Sequence, residues 1–121
     1  MVFGRTKLER GQAAERHVDR AARQRGWRRV AQNYHARGGE LDLVYRQADT
    51  LVVVEVRYRA RSDYGSAAAT VTRTKQRRIV SATRQLLADN PRWARLAIRF
   101  DVVGVDGEDN LDWIENAFYA E

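Results

Sequence analysis

Residues 37–58 read RGGELDLVYRQADTLVVVEVRY, and the two halves of this stretch decide the architecture. Glu40-Leu41-Asp42-Leu43-Val44-Tyr45 alternates, as a strand with one buried face does, and Thr50 to Arg59 is rich in branched apolar residues, as a more deeply buried strand is. Arg46-Gln47-Ala48-Asp49 is polar enough to connect them, so the two form a hairpin. Side chains alternate along a strand, which puts Leu51, Val53, Glu55 and Arg57 on one face and Val52, Val54, Val56 and Tyr58 on the other. A carboxylate therefore interrupts an otherwise apolar face.

Upstream, Ala14, Val18, Ala21 and Ala22 recur at spacings of three and four within Leu8 to Gln24, a helical stripe that Gly26 ends. Glu15 borders that stripe. Taken alone, it reads as a half-exposed glutamate paired with Arg16 or Arg20. Arg28 to Tyr34 is a short strand before the turn Ala36-Arg37-Gly38-Gly39. Downstream, Arg59 to Ser66 is a polar loop, and Thr72 or Thr74 caps a helix through Leu87 whose inner face is Ile79, Thr83, Leu86 and Leu87. Pro91 ends this helix. Leu96 to Val105 and Leu111 to Phe118 read as strands joined by a turn over Asp106 to Asn110. The order α-β-β-β-α-β-β predicts an α+β fold, an α/β sandwich in which helices flank a mixed sheet. With 121 residues and no repeat or linker, residues 1–121 are expected to form a single domain.

The start, MVFGRTKLERG, has no apolar stretch like a signal peptide, and the longest aliphatic run elsewhere is Leu51 to Val54, so a cytoplasmic location without membrane contact is expected. The absence of cysteine excludes disulfides, thiolate nucleophiles and sulfur-ligated zinc, and His17 and His35 are the only histidines. Any metal must sit on carboxylates. The net charge of +6 favours phosphate-bearing partners and makes nucleic acid the natural one. Only Lys7 and Lys75 among the 22 basic residues are lysines, so single arginines carry little information. Trp27, Trp93 and Trp113 are spaced like core or edge aromatics.

The hairpin can bring Asp42 and Glu55 together on one face. Two close carboxylates repel unless something positive intervenes, and a magnesium ion takes hard oxygen ligands, keeps several waters and bridges to phosphate oxygens. Glu55 and Arg57, two apart on one strand, aim a ligand and a cation at the same point, an arrangement suited to phosphodiester hydrolysis. By spacing alone, a cross-strand ion pair on a solvated face is an equally simple account.

Gly11 to Glu15, Arg37 to Leu43 (RGGELDL), Leu51 to Arg57 (LVVVEVR), Arg59, Tyr64-Gly65-Ser66, Thr72 to Arg78 (TRTKQRR) and Arg99 to Val103 (RFDVV) together resemble the YraN-like endonuclease family. That family belongs to the PD-(D/E)xK restriction-endonuclease-like nucleases and is similar to the archaeal Holliday-junction resolvases. The resemblance implies an α-β-β-β-α-β core and a metal site facing DNA. It implies Glu15 as the helix-borne acid, Asp42 and Glu55 as ligands of Mg2+ or Mn2+, Arg57 at the position of the catalytic cation, and Gln76 on the helix flanking the site. Branched or flapped DNA as substrate, and a homodimer, are implied by resemblance alone.

Two departures stand out: Ala14 replaces the glycine usual before the helix acid, and Arg57 replaces the usual lysine. Arginine cannot serve as a general base because its pKa exceeds about 12, although it stabilises negative charge and grips phosphate. A nuclease and a catalytically impaired nucleic-acid-binding domain of the same fold both remain open on this ground. A protein-interaction module with a structural acidic cluster is a third account. Lys75, at the start of the second helix, is within reach of compensating for Arg57, but on sequence alone a solvated helix-start lysine is the plainer description. Arg59, Arg61, Arg73, Lys75, Arg77 and Arg78 surround the loop and helix start and are expected to contact phosphate.

Overall fold

In the computed structural model, which describes Gly4, residues 6–59 and residues 66–120, the chain first forms helix α1, Lys7–Gln24. The Thr6 side chain accepts from the Glu9 backbone N–H while the Glu9 carboxylate accepts from that of Thr6, a capping box that satisfies donors the first turn would leave open. Three strands follow, β1 (Arg28–Ala36), β2 (Gly39–Gln47) and β3 (Thr50–Tyr58). Helix α2 spans Arg73–Asp89, with Thr72, one of the two expected caps, accepting from Lys75 N at 3.1 Å. Strands β4 (Ala97–Val105) and β5 (Leu111–Phe118) complete the fold, with single 3₁₀ turns at Ala67–Thr70 and Pro91–Trp93. Most of the expected loop between β3 and α2, with Arg61, Tyr64 and Gly65, lies outside the described residues.

The five strands lie in the order β1-β2-β3-β4-β5, antiparallel except for β3 and β4, which α2 connects as a parallel crossover. The sheet is mixed and has a helix on each face, the expected α+β sandwich. Val18 and Ala22 of α1 pack on Leu43, Tyr45, Val52, Val54, Val103 and Val105. Ile79, Ala82 and Leu86 of α2 pack on the opposite face with Leu41, Val44, Leu51, Val53, Phe100 and Val102. The aliphatic run in β3 is thereby explained, since its successive residues fill two cores. Trp27 and Trp93 are core residues, and Trp113 packs at the margin of the α1 core. Among the described residues no helix is long and apolar enough to cross a membrane.

The turn between β1 and β2 runs close beneath α2. A Cβ on Gly39 would lie 2.6 Å from the Arg78 carbonyl oxygen, whereas one on Gly11, inside α1, would meet nothing within 4 Å. Backbone cannot yield as a side-chain tip can. Gly39→Ala is therefore expected to cost about 1–3 kcal/mol by forcing α2 off the sheet, and Gly11→Ala to add about 0.5–1 kcal/mol from helix propensity. Paired thermal and urea unfolding of the two variants checks both signs.

Candidate functional site

The β2 and β3 ladder runs from Gln47 opposite Thr50 to Leu43 opposite Val54. At the next step the Asp42 side chain enters the ladder: its Oδ2 accepts a hydrogen bond from Val56 N at 2.9 Å. This brings the carboxyls of Asp42 and Glu55 within hydrogen-bonding distance of each other. Glu55 is only 5% exposed. Burial is the main reason its pKa rises to about 8, reinforced by Asp42 and opposed by Lys75 and Arg57. Burial also raises the pKa of Asp42, against the Val56 N–H, the bond to Glu55 and the charge of Lys75. Two acids this close, Glu55 buried and Asp42 half-buried, favour holding one proton between them.

Glu15 reaches the same place from α1. Its pKa is pushed up to about 7, first by burial and then by Asp42, with the nearby Asn33 side chain opposing the rise. The expected pairing with Arg16 or Arg20 gives way to this inward orientation, because the carboxylate lies at the edge of the stripe that packs on the sheet. Asn33 was not anticipated as a partner. It lies in the middle of β1 with φ 47°, a left-handed conformation that asparagine tolerates better than most residues. An asparagine inside a strand pattern was the available signal.

Two cations meet Glu55. Arg57 Nε and Lys75 Nζ each lie 3.7 Å from its Oε1. Both separations exceed a normal hydrogen bond, so charge attraction holds them loosely. Among the described residues, Arg57 Nε is buried without a hydrogen-bond acceptor. Lys75 is a correction to the plainer description: it is half-buried and turned toward Glu55, because its position in α2 falls on the flank of the buried stripe. Among the described residues, no three His, Cys, Asp or Glu side chains are grouped to hold a metal ion. Asp42 and Glu55 form a two-carboxylate donor set, which suits an ion that retains several waters.

The other predicted residues disperse around this centre. Arg73, Arg77 and Arg78 are exposed on α2, with Arg78 over the β1–β2 turn and Arg73 and Arg77 on the flank toward β5. Gln76 donates its amide N–H to the Val71 carbonyl at 3.2 Å. The Arg59 backbone N–H donates to the Val105 carbonyl at 2.7 Å, and Arg59 lines a small cavity with Asp106, Asn110 and Asp112. A larger cleft, about 760 Å³, opens beside Glu15 between Gly11, Gln12, Asn33, His35 and Glu40.

Residues 14–105 match the model of the family described as "Uncharacterised protein family UPF0102". The chain belongs to UPF0102. A UPF0102 protein of Saccharophagus degradans is 46% identical over 110 residues, covering 91% of this chain and 92% of that one. One from Aeromonas hydrophila is 48% identical over 110 residues, covering 90% and 84%. One from Alcanivorax borkumensis is 38% identical over 125 residues and covers both chains completely. The span matched to UPF0102 begins one residue before Glu15 and ends with β4, so it contains Glu15, Asp42, Glu55, Arg57 and Lys75.

The raised carboxyl pKa values fix the sign of a pH effect. The folded protein keeps protons that the unfolded chain releases from about pH 4.5, so these acids favour folding less as pH rises toward about 8. In chelator, Glu55→Gln is expected to flatten this decline. It should raise the unfolding temperature at pH 8 by roughly 3–5 °C for each kcal/mol of repulsion relieved and have little effect near pH 4. Thermal unfolding from pH 4 to 9 makes the comparison.

Proposed function

We propose that this chain is a metal-dependent DNA endonuclease that hydrolyses phosphodiester bonds. The observation that carries the proposal is the pairing of the buried Glu55 carboxyl with the half-buried Asp42 carboxyl, with Arg57 and Lys75 both 3.7 Å from Glu55 Oε1. Burying two acids against each other opposes folding, and such strain is characteristic of sites arranged for chemistry. The resemblance to the YraN-like endonucleases of the PD-(D/E)xK group supports the same reaction. A preference for branched or flapped DNA, and action as a homodimer, rest on that resemblance.

Asp42 and Glu55 would hold Mg2+ or Mn2+ through their carboxylate oxygens once the proton between them has left, since two adjacent hard oxygen donors fit a divalent cation. Such an ion, when bound, activates water and neutralises charge developing on the scissile phosphate. The chain's own residues account for the rest. Asp42 is oriented by Val56 N–H on Oδ2, which turns the rest of its carboxyl toward Glu55. Glu15, beside Asn33 and with its pKa pushed up to about 7, is suited to hold the proton of a water beside Asp42. Arg57 cannot exchange a proton and serves as a fixed charge toward the phosphate. Lys75 supplies the ammonium that Arg57 does not, which answers the main departure from the family's motif. Arg59, Arg73, Arg77 and Arg78 would contact the DNA backbone, and Gln76 would contribute its carboxamide oxygen, since its N–H is engaged.

Purified protein incubated with labelled duplex, single-strand, flap and four-way-junction DNA plus Mg2+ or Mn2+ is expected to cleave at least one substrate. Asp42→Asn is expected to abolish cleavage, and Lys75→Ala to slow it by about 100-fold. Retarded but intact DNA would instead make this a binding domain in which Arg57 has ended catalysis. Metal should also raise the unfolding temperature of the wild type at pH 8 but not that of Asp42→Asn.

A further inference from the structure

Helix α2 divides its cations between two flanks, and only one flank faces the carboxyl site. On the other, Arg73, Gln76, Arg77 and Val80 form one wall of a groove of about 350 Å³ whose opposite wall is Ala117, Phe118 and Tyr119. No carboxylate of a described residue lines it. Arg73 and Arg77 are exposed and four residues apart, so they lie one above the other on the helix surface. Tyr119 is 68% exposed, while its neighbour Phe118 is buried and stacks on Phe100 with centroids 4.9 Å apart. Phe118 thus anchors the end of β5 and leaves the next side chain outside. Exposed large apolar side chains are few among the described residues, Leu8 and Tyr119 being the two.

We propose that this groove is a subsite for a single-stranded stretch of nucleic acid, in which Arg73 and Arg77 hold consecutive phosphates and the Tyr119 ring stacks on a base. The inference rests on the nucleic-acid reading above and adds to it the kind of strand bound and where. Charge selects a polyanion. The aromatic ring selects a single strand, because base faces are covered by stacking in a duplex and become accessible only when the strand is unpaired. The first turn of α2 belongs to both places: Lys75 turns toward Glu55 and Arg73, two residues earlier, toward the groove. An unpaired arm held by Arg73, Arg77 and Tyr119 would therefore pass beside the carboxyl site, giving a physical basis for preferring flapped over continuous duplex DNA.

Binding of the full-length protein to a fluorescein-labelled thymidine oligonucleotide, followed by anisotropy in chelator across a salt series, tests this without requiring cleavage. Tyr119→Ala is expected to weaken binding about 5- to 150-fold with an unchanged salt slope, and Tyr119→Phe to retain it because the ring face is what acts. The double variant Arg73→Ala, Arg77→Ala is expected to reduce the log–log salt slope by about 1.4, two single-strand phosphate contacts. Arg20→Ala, an exposed α1 arginine, controls for loss of general charge. The proposal is overturned if the wild type does not bind the oligonucleotide, if Tyr119→Ala binds within twofold of wild type, or if the double variant loses no more slope than Arg20→Ala. Single-strand binding with these signatures but no metal-dependent cleavage would sink the nuclease reading and leave the groove intact. Asp42-dependent cleavage with no effect at Tyr119 would do the reverse.

Discussion

At Leu43 and Val54 the ladder between β2 and β3 ends, and the Asp42 carboxylate takes the next strand N–H, that of Val56, at 2.9 Å. Most of the site follows from this substitution of a side-chain acceptor for a backbone one. It satisfies a donor that the parting strands would otherwise leave open, and it fixes Asp42 beside Glu55 at a depth where neither acid is well solvated. The proton held between them and the attraction of Arg57 and Lys75 are consequences of placing two carboxyls where only positive charge can balance them.

Asp101 makes the contrast plain. It is fully buried, on β4, and it accepts two hydrogen bonds from the Arg99 guanidinium at 2.9 Å, one from Trp113 Nε1 at 2.9 Å and one from Asn116 N at 3.0 Å. A buried acid with four donors is a structural pin. It secures β5 where the register of β4 shifts between Phe100 and Val102. Around it Arg25 lies over Trp113, and Arg99 over Trp27, which ties α1's end to β4 and β5 on its own face of the sheet. Asp19 plays a similar part between Tyr45 Oη at 2.7 Å and Arg29 at 3.0 Å. These networks hold the sheet and α1 in one arrangement, so the incompletely satisfied acids at the splay are held in place by well-satisfied ones elsewhere.

The two helices contribute to the site in different ways. Helix α1 contributes Glu15, at the border of a stripe whose Val18 and Ala22 are fully buried, so its direction is set by core packing. Helix α2 approaches closely enough to exclude a side chain at Gly39, and this closeness brings the Lys75 ammonium over Glu55. A helix rotated by half a turn would expose Lys75 and present Arg73 or Arg77 instead.

Periodicity and composition were sufficient for the order of elements, the mixed sheet, the double burial of β3 and the pairing of Asp42 with Glu55, because each depends on local alternation and on a short hairpin with few ways to close. The inward turn of Lys75, the approach of Asn33 to Glu15 and the Val56 N–H on Asp42 were beyond the reach of the sequence alone. The first two join residues of different elements, the third lies within the hairpin, and each depends on helix rotation or strand divergence of a few ångströms, which no residue pattern encodes. The sequence by itself determined which acids share a sheet. Only the tertiary structure decided which cations reach them, because that depends on how closely α2 packs over a turn that has glycine at Gly39.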